Sequence, residues 1–216
     1  MGSHIRYDRD VLSDHQPRLD NFLAIAVGLG LAFQVGHFLE HGIQFAVWVL
    51  GSDQWLTSSY CGRDTPFMSW PVTELVRFVG IYLFPSATVA RQMMMGMEIL
   101  HLIGNTIFLT TIAGVYYFIP SKLVRYAFYV EGAHLCEHVS LTLSAYFVGI
   151  PIGVSTLFGQ APTWLGKSGA VGYRVTFHFL MNLLPMPFVM IAIMKHWSGN
   201  HDSGLTEQMP RSGSLA

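Results

Sequence analysis

Tyr129-Val130-Glu131-Gly132-Ala133-His134-Leu135-Cys136-Glu137-His138 lies inside an apolar segment long enough to cross a membrane. It puts Glu131, His134, Glu137 and His138 where hydrocarbon would surround the chain. Ionisable groups are costly at that depth, and those that occur there face an interior and mark a functional site. At 100° per residue the four side chains fall within an arc of about 120°, so one helix face can present them all to one interior. Three other apolar segments carry comparable sets. Glu40 lies between His37 and His41, Glu98 stands three residues before His101, and His178 stands four before Asn182. The expectation is an all-α, polytopic membrane protein in which four transmembrane helices form a bundle around one polar cluster.

Composition supports a bilayer as the solvent. Of the 216 residues 51% are hydrophobic and 12% charged, about half the charged share of a soluble domain. A net charge of -1 gives no basic surface for nucleic acid, and no nucleic-acid-binding motif is present. The two cysteines, Cys61 and Cys136, fall in a loop and in mid-helix, so a disulfide between them is not expected. The first apolar run is too long for a signal-peptide core and lacks a small-residue cleavage site, which makes it a retained anchor.

Residues 1–20 read as a polar cytoplasmic arm. The membrane domain covers 21–197, with spans at about 22–50, 88–118, 123–148 and 173–196. Residues 52–71 and 153–172 read as loops. The stretch 72–84 is too short to span and polar at its start, so an interfacial helix is expected there. Pro185 and Pro187 should kink the fourth span, and 198–216 should form a disordered tail. Trp55, Trp70 and Trp164 suit an interfacial belt, and the run from Met93 to Met97 suits flexible core filler. Lys and Arg favour the side that holds Arg6, Arg9, Arg18, Lys122, Arg125, Lys195 and Arg211, so both termini are assigned to the cytoplasm. In a bacterium this would be the cytoplasmic membrane.

Within the spans stand six histidines (His37, His41, His101, His134, His138, His178) and four glutamates (Glu40, Glu98, Glu131, Glu137). A single ion uses about four to six ligands. Ten groups at one depth therefore suit a dinuclear iron or copper site, zinc being less suited, with further side chains orienting the ligands. First ligands are expected in His37, His41, His101, His134, His138, Glu98 and Glu131. Glu40, Glu137 and His178 would ligate or orient, and Glu40 and Glu137 are the candidates for proton transfer. Asn105 and Asn182 would be either donors around the site or ligands.

Two likenesses of ligand pattern follow. The Glu-x-x-His pairs Glu98/His101 and Glu131/His134, on separate helices, are similar to the ligand set of ferritin-like di-iron bundles. The lone glutamates of that set are here replaced by the His37-Glu40-His41 group and by His178. His37-x-x-x-His41 and His134-x-x-x-His138 resemble fragments of the histidine boxes of membrane desaturases and alkane hydroxylases, without their adjacent histidine pair. The second likeness implies nitrogen-rich ligands in a membrane that hold iron or copper and activate dioxygen near apolar substrates.

The expected function is an integral-membrane oxidoreductase that activates oxygen or passes electrons on a small or lipid-soluble substrate. An electron donor or larger membrane complex would be its partner. Two other readings use the same residues. One is transport or binding of a transition metal or protons; the other is a haem b cytochrome with His101 and His178 as axial ligands.

Overall fold

In hydrocarbon a chain can satisfy its backbone N–H and C=O groups only within a segment or in a closed barrel, and long apolar stretches without strand alternation therefore become helices. The computed structural model describes residues 16–50 and 70–206, and every regular element among them is helical. The elements are α1 (Gln16–Val49), α2 (Trp70–Leu83), α3 (Val89–Phe118), α4 (Lys122–Phe147), α5 (Ala161–Leu183) and α6 (Pro185–Thr206). A single 3-10 turn, Val154–Thr156, lies between α4 and α5. Residues 1–15, 51–69 and 207–216 lie outside the described residues, and with them the ends of the N-terminal arm and C-terminal tail, most of the first loop, Trp55 and Cys61.

Three stretches, Arg18–Val49, Val89–Phe118 and Ala161–Ser198, are long and apolar enough to cross a membrane, consistent with an integral membrane protein. Their surfaces carry the matching signature. Phe22, Ile25, Leu29, Leu39 and Ile43 of α1 are all more than half exposed, which lipid tolerates and water does not. α4 matches these stretches in form at 26 residues, and its glutamates and histidines make it less apolar.

Local signals set the helix ends. Thr88 and Ser121 are extended N-caps whose hydroxyls accept from the N–H groups of Arg91 and Val124, relieving unpaired donors at the starts of α3 and α4. The short turn at Pro120 and Ser121 makes α3 and α4 neighbours. Tyr117 donates to Asp20 at 3.4 Å, which sets the start of α1 beside the end of α3. Near that end an apolar core forms from Phe108, Ile112 and Val115 of α3, Val124 and Ala127 of α4, and Val189 and Ala192 of α6, with Val27 and Leu31 of α1 against it. The histidine-bearing halves of α1, α3, α4 and α5 begin where this core stops.

Two expectations change. The stretch expected as a loop over 153–172 becomes a turn followed by helix from Ala161; Pro162 is tolerated in the first helical turn, and Gly166, at φ 71°, breaks the helix before it resumes. The fourth segment divides at Pro185 into α5 and α6. α6 then continues to Thr206, past the expected start of a disordered tail, with no proline between Pro187 and Thr206 to stop it. α2, the helix expected at the interface, packs on a neighbouring helix. It runs back along α3, with Val76 against Gly96 and Gly80 against Gln92. A Cβ on Gly80 would strike the Gln92 carbonyl, and one on Gly96 the Val76 carbonyl. Val76, Met93 and Met97 fill the seam, which gives part of the methionine run its expected packing role.

A larger side chain at this crossing must push the two helices apart. Gly80→Leu and Gly96→Leu should each cost roughly 1–3 kcal/mol. Thermal unfolding in detergent should show each variant melting several degrees lower, while Gly28→Leu, on an exposed face with open space around it, should change little.

Candidate metal centre

Helical spacing stacks His37 on His41 and His134 on His138, and antiparallel packing brings in His101 from α3 and His178 from α5. The six rings form one continuous layer. His37, His41 and His101 make one triad, with ring centroids 4.5–5.5 Å apart. His134, His138 and His178 make the second, with centroids 4.9–5.7 Å apart. In each triad one nitrogen from every ring lies within 4.8 Å of the others. The triads adjoin through His101 and His138, stacked at 5.3 Å, and through His41 and His178 at 5.9 Å.

Ring orientation is fixed from outside the layer. His101 Nδ1 donates to the Met97 carbonyl at 2.8 Å, His178 Nδ1 to the Arg174 carbonyl at 2.9 Å, and His41 Nδ1 to Gln44 Oε1 at 3.1 Å. In these three rings the proton sits on Nδ1, and the Nε2 lone pair is free to act as a ligand. The two pairs spaced four residues apart meet Nε2 to Nε2: His37 and His41 at 3.2 Å, His134 and His138 at 3.2 Å. With metal–nitrogen bonds of about 2.05 Å, two nitrogens 3.2 Å apart subtend about 100° at a shared ion, close to tetrahedral. A cavity of about 20 Å³ opens among His41, His101, His178, Gln44, Met97 and Arg174, room for about one water-sized species.

The glutamates have other partners. Glu98, fully buried, forms an ion pair with Arg174 of α5 and does not join either triad. Glu137 turns to the connection after α4, where its two carboxylate oxygens accept from the Val154 and Ser155 N–H groups at 2.8 Å each. A Cβ on Gly153 would collide with that carboxylate. Glu131 lies one turn below His134, with Oε2 3.5 Å from His134 Nδ1, too long for a hydrogen bond. Glu40 is half-buried on α1, near enough to His101 to act on it through its charge. The residues expected to ligate thus divide. All six histidines converge, whereas Glu98, Glu131 and Glu137 stand around them.

Arg174 was not foreseen as the partner of Glu98. The signal was available, since Arg174 lies four residues before His178 and so on the same face. The turn that receives Glu137 had no such signal, because it depends on a long-range contact. A second layer lies one helical turn to the other side of the histidines. There Gln34 donates to Asn182 Oδ1 at 2.8 Å, while Asn105 and Asn182 donate to the carbonyls of His101 and His178.

Removing the Glu137 carboxylate leaves two N–H groups of the 154–156 turn without their acceptor. Glu137→Ala should destabilise the protein by roughly 1–3 kcal/mol and speed proteolysis near 148–160. Its metal content after refolding in lipid should equal that of the unaltered chain, a comparison by elemental analysis that separates a turn-holding carboxylate from a ligand.

No curated protein and no solved structure matches the chain. A family model does match, over residues 12–207, and this stretch takes in both triads and every helix that carries them; the chain belongs to the family of unknown function DUF6008.

Proposed function

We propose that the chain is an integral membrane protein with four spans, α1, α3, α4 and the α5–α6 pair, forming one bundle whose histidine layer holds two transition-metal ions, one per triad. The observation that carries this reading is the pair of 3.2 Å Nε2 separations, each completed to a triad by a histidine whose proton is held on Nδ1. Neutral imidazoles arranged in this way make two adjacent three-nitrogen sites. Copper suits them better than iron, because two of the carboxylates a di-iron centre would use as bridges, Glu98 and Glu137, are engaged by Arg174 and by the 154–156 turn, and Glu131 lies on the Nδ1 side of His134. Zinc would bind the same donors but carries no redox chemistry.

The activity that follows is that of a membrane oxidoreductase. Copper supplies one-electron and dioxygen chemistry to such a site. The chain's own residues then do the following. Met97, Arg174 and Gln44 hold three rings in one tautomer, and Glu131 stands where its carboxylate can receive the His134 Nδ1 proton once Nε2 is a ligand. The Glu98–Arg174 pair fixes a charge beside the cavity without adding net charge. The cavity admits dioxygen or water but not a bulky molecule, so a lipid-soluble substrate would meet the layer from the bilayer side, or electrons would pass to and from a partner complex. Haem fits poorly. His101 is in ring contact with His37, His41, His138 and His178, and no slot for a macrocycle separates it from His178. With the α3–α4 turn assigned to the cytoplasm by its Lys122 and Arg125, the N-terminus of α1 lies on that side too.

Protein purified in mild detergent without chelator should contain about two coppers per chain and show no Soret band. His101→Ala and His138→Ala should each lose about one of them, and oxygen consumption with a reductant should fall together with the metal. Full metal content in both variants, or a pair of irons in place of copper, would sink this assignment.

A further inference from the structure

The layer one turn beyond the histidines has a donor set of its own. Gln34 precedes His37 by three residues, Glu131 precedes His134 by three, Asn105 follows His101 by four and Asn182 follows His178 by four. Because α1 and α4 run opposite to α3 and α5, all four offsets point the same way along the bundle, by about 4.5–6 Å at 1.5 Å per residue. The four side chains are 0–1% exposed.

Their hydrogen bonds leave oxygen, and only oxygen, unmatched. The Asn105 amide donates to the His101 carbonyl at 2.8 Å and the Asn182 amide to the His178 carbonyl at 2.9 Å, which fixes nitrogen toward the carbonyl and leaves Oδ1 as the outstanding acceptor in both. Asn182 Oδ1 then requires a donor, and Gln34 Nε2 supplies it at 2.8 Å. That bond in turn fixes the Gln34 amide. An amide flip anywhere in this chain would set oxygen against a carbonyl, so the orientation is determined by the two backbone groups at its root. Gln34 Oε1, Asn105 Oδ1 and both Glu131 oxygens are buried with no hydrogen-bond donor from the protein. Unmatched buried acceptors are costly, and here they are grouped in one layer.

We infer that Gln34, Asn105 and Glu131 form a second site, for a hard monovalent cation of the sodium class, one turn from the histidine layer. Oxygen-only donors of one carboxylate and neutral amides are the set that hard ions take, and the amide preorganisation removes the nitrogen donors that would repel a cation. Charge decides the valence. Glu131 is the one carboxylate of this layer, Glu98 and Glu137 lying on the far side of the histidines with Arg174 and the 154–156 turn as their partners, so a single positive charge leaves the layer neutral in a low-dielectric interior. This site does not depend on metal at the histidines.

The test is a salt series on the full chain in detergent, after treatment with chelator, with thermal unfolding as the readout. Sodium chloride should raise the unfolding temperature by several degrees over choline chloride of the same ionic strength, with saturation. Asn105→Leu should raise the half-saturating sodium concentration at least tenfold, and Glu131→Gln should abolish the shift. If either variant fails to fold, the ion series on the unaltered chain decides. Equal unfolding temperatures in sodium, potassium, lithium and choline would overturn the proposal and leave the oxygens to water or to a protonated Glu131. Stabilisation by calcium alone would overturn the charge argument. Because the series is run on metal-free protein, its result stands apart from the copper measurement.

Discussion

The constraint on which this structure depends is that polar groups buried among apolar helices must satisfy one another. Helix packing through Leu, Ile and Val tolerates small slides, since one apolar contact replaces another. The groups of the histidine layer do not. A shift of one turn, about 5.4 Å, would take His101 out of its contacts with His37 and His138 and set imidazoles against aliphatic carbon. The apolar core at the α3–α4 end holds the helices together, and the polar layers fix their register. Buried polar groups have this role in other helical assemblies, where they contribute specificity more than stability.

Three layers share that task, and their order sets which atoms meet at the centre. On one side Glu98 pairs with Arg174, and Glu137 closes the turn after α4. In the middle lie six imidazoles. On the other side lie the amides and Glu131. The acids are thus held to either side of the rings, which leaves nitrogen as the donor within the layer. Had Arg174 been apolar, Glu98 would be an uncompensated buried charge one turn from His101, and the nearest way to neutralise it would be a cation shared with that histidine. The arginine therefore bears on the chemistry of a site that it does not ligate.

The helices and the convergence of the six histidines were legible in the sequence because both rest on local periodicity: the apolar runs on length, the faces on three- and four-residue spacing. What was not legible depends on contacts between distant segments. Glu98 and Glu131 each stand three residues before a histidine, the same spacing, yet one is neutralised by a residue 76 positions away and the other is not. Glu137 reads as a fourth member of the 131–138 face, and only the path of residues 148–160 shows that its oxygens are spoken for. The crossing of α2 on α3 rests on two glycines, and the absence of a side chain gives no periodic signal. The helix that begins at Ala161 was obscured by the glycines and Pro162 around it, all of which are compatible with the first turns of a broken helix.

Counting protons separates a metal centre from a self-sufficient histidine network. A neutral imidazole has one N–H and one lone pair, so a closed network must match every donor to an acceptor. His101, His178 and His41 direct their protons out of the layer, to two carbonyls and an amide, and bring only lone pairs into it. Across the 3.2 Å gap between His134 and His138, one ring must donate and the other accept. The donor then has a bare Nδ1, and the acceptor an Nδ1–H. Neither Nδ1 has a hydrogen-bond partner, and His178 Nε2 has none either. Hydrogen bonding among the rings therefore leaves a surplus of lone pairs however the protons are distributed. On the reading proposed above, a cation at each triad would use that surplus directly: both Nε2 atoms would be its ligands, both protons would sit on Nδ1, and at His134 that proton would face the Glu131 carboxylate.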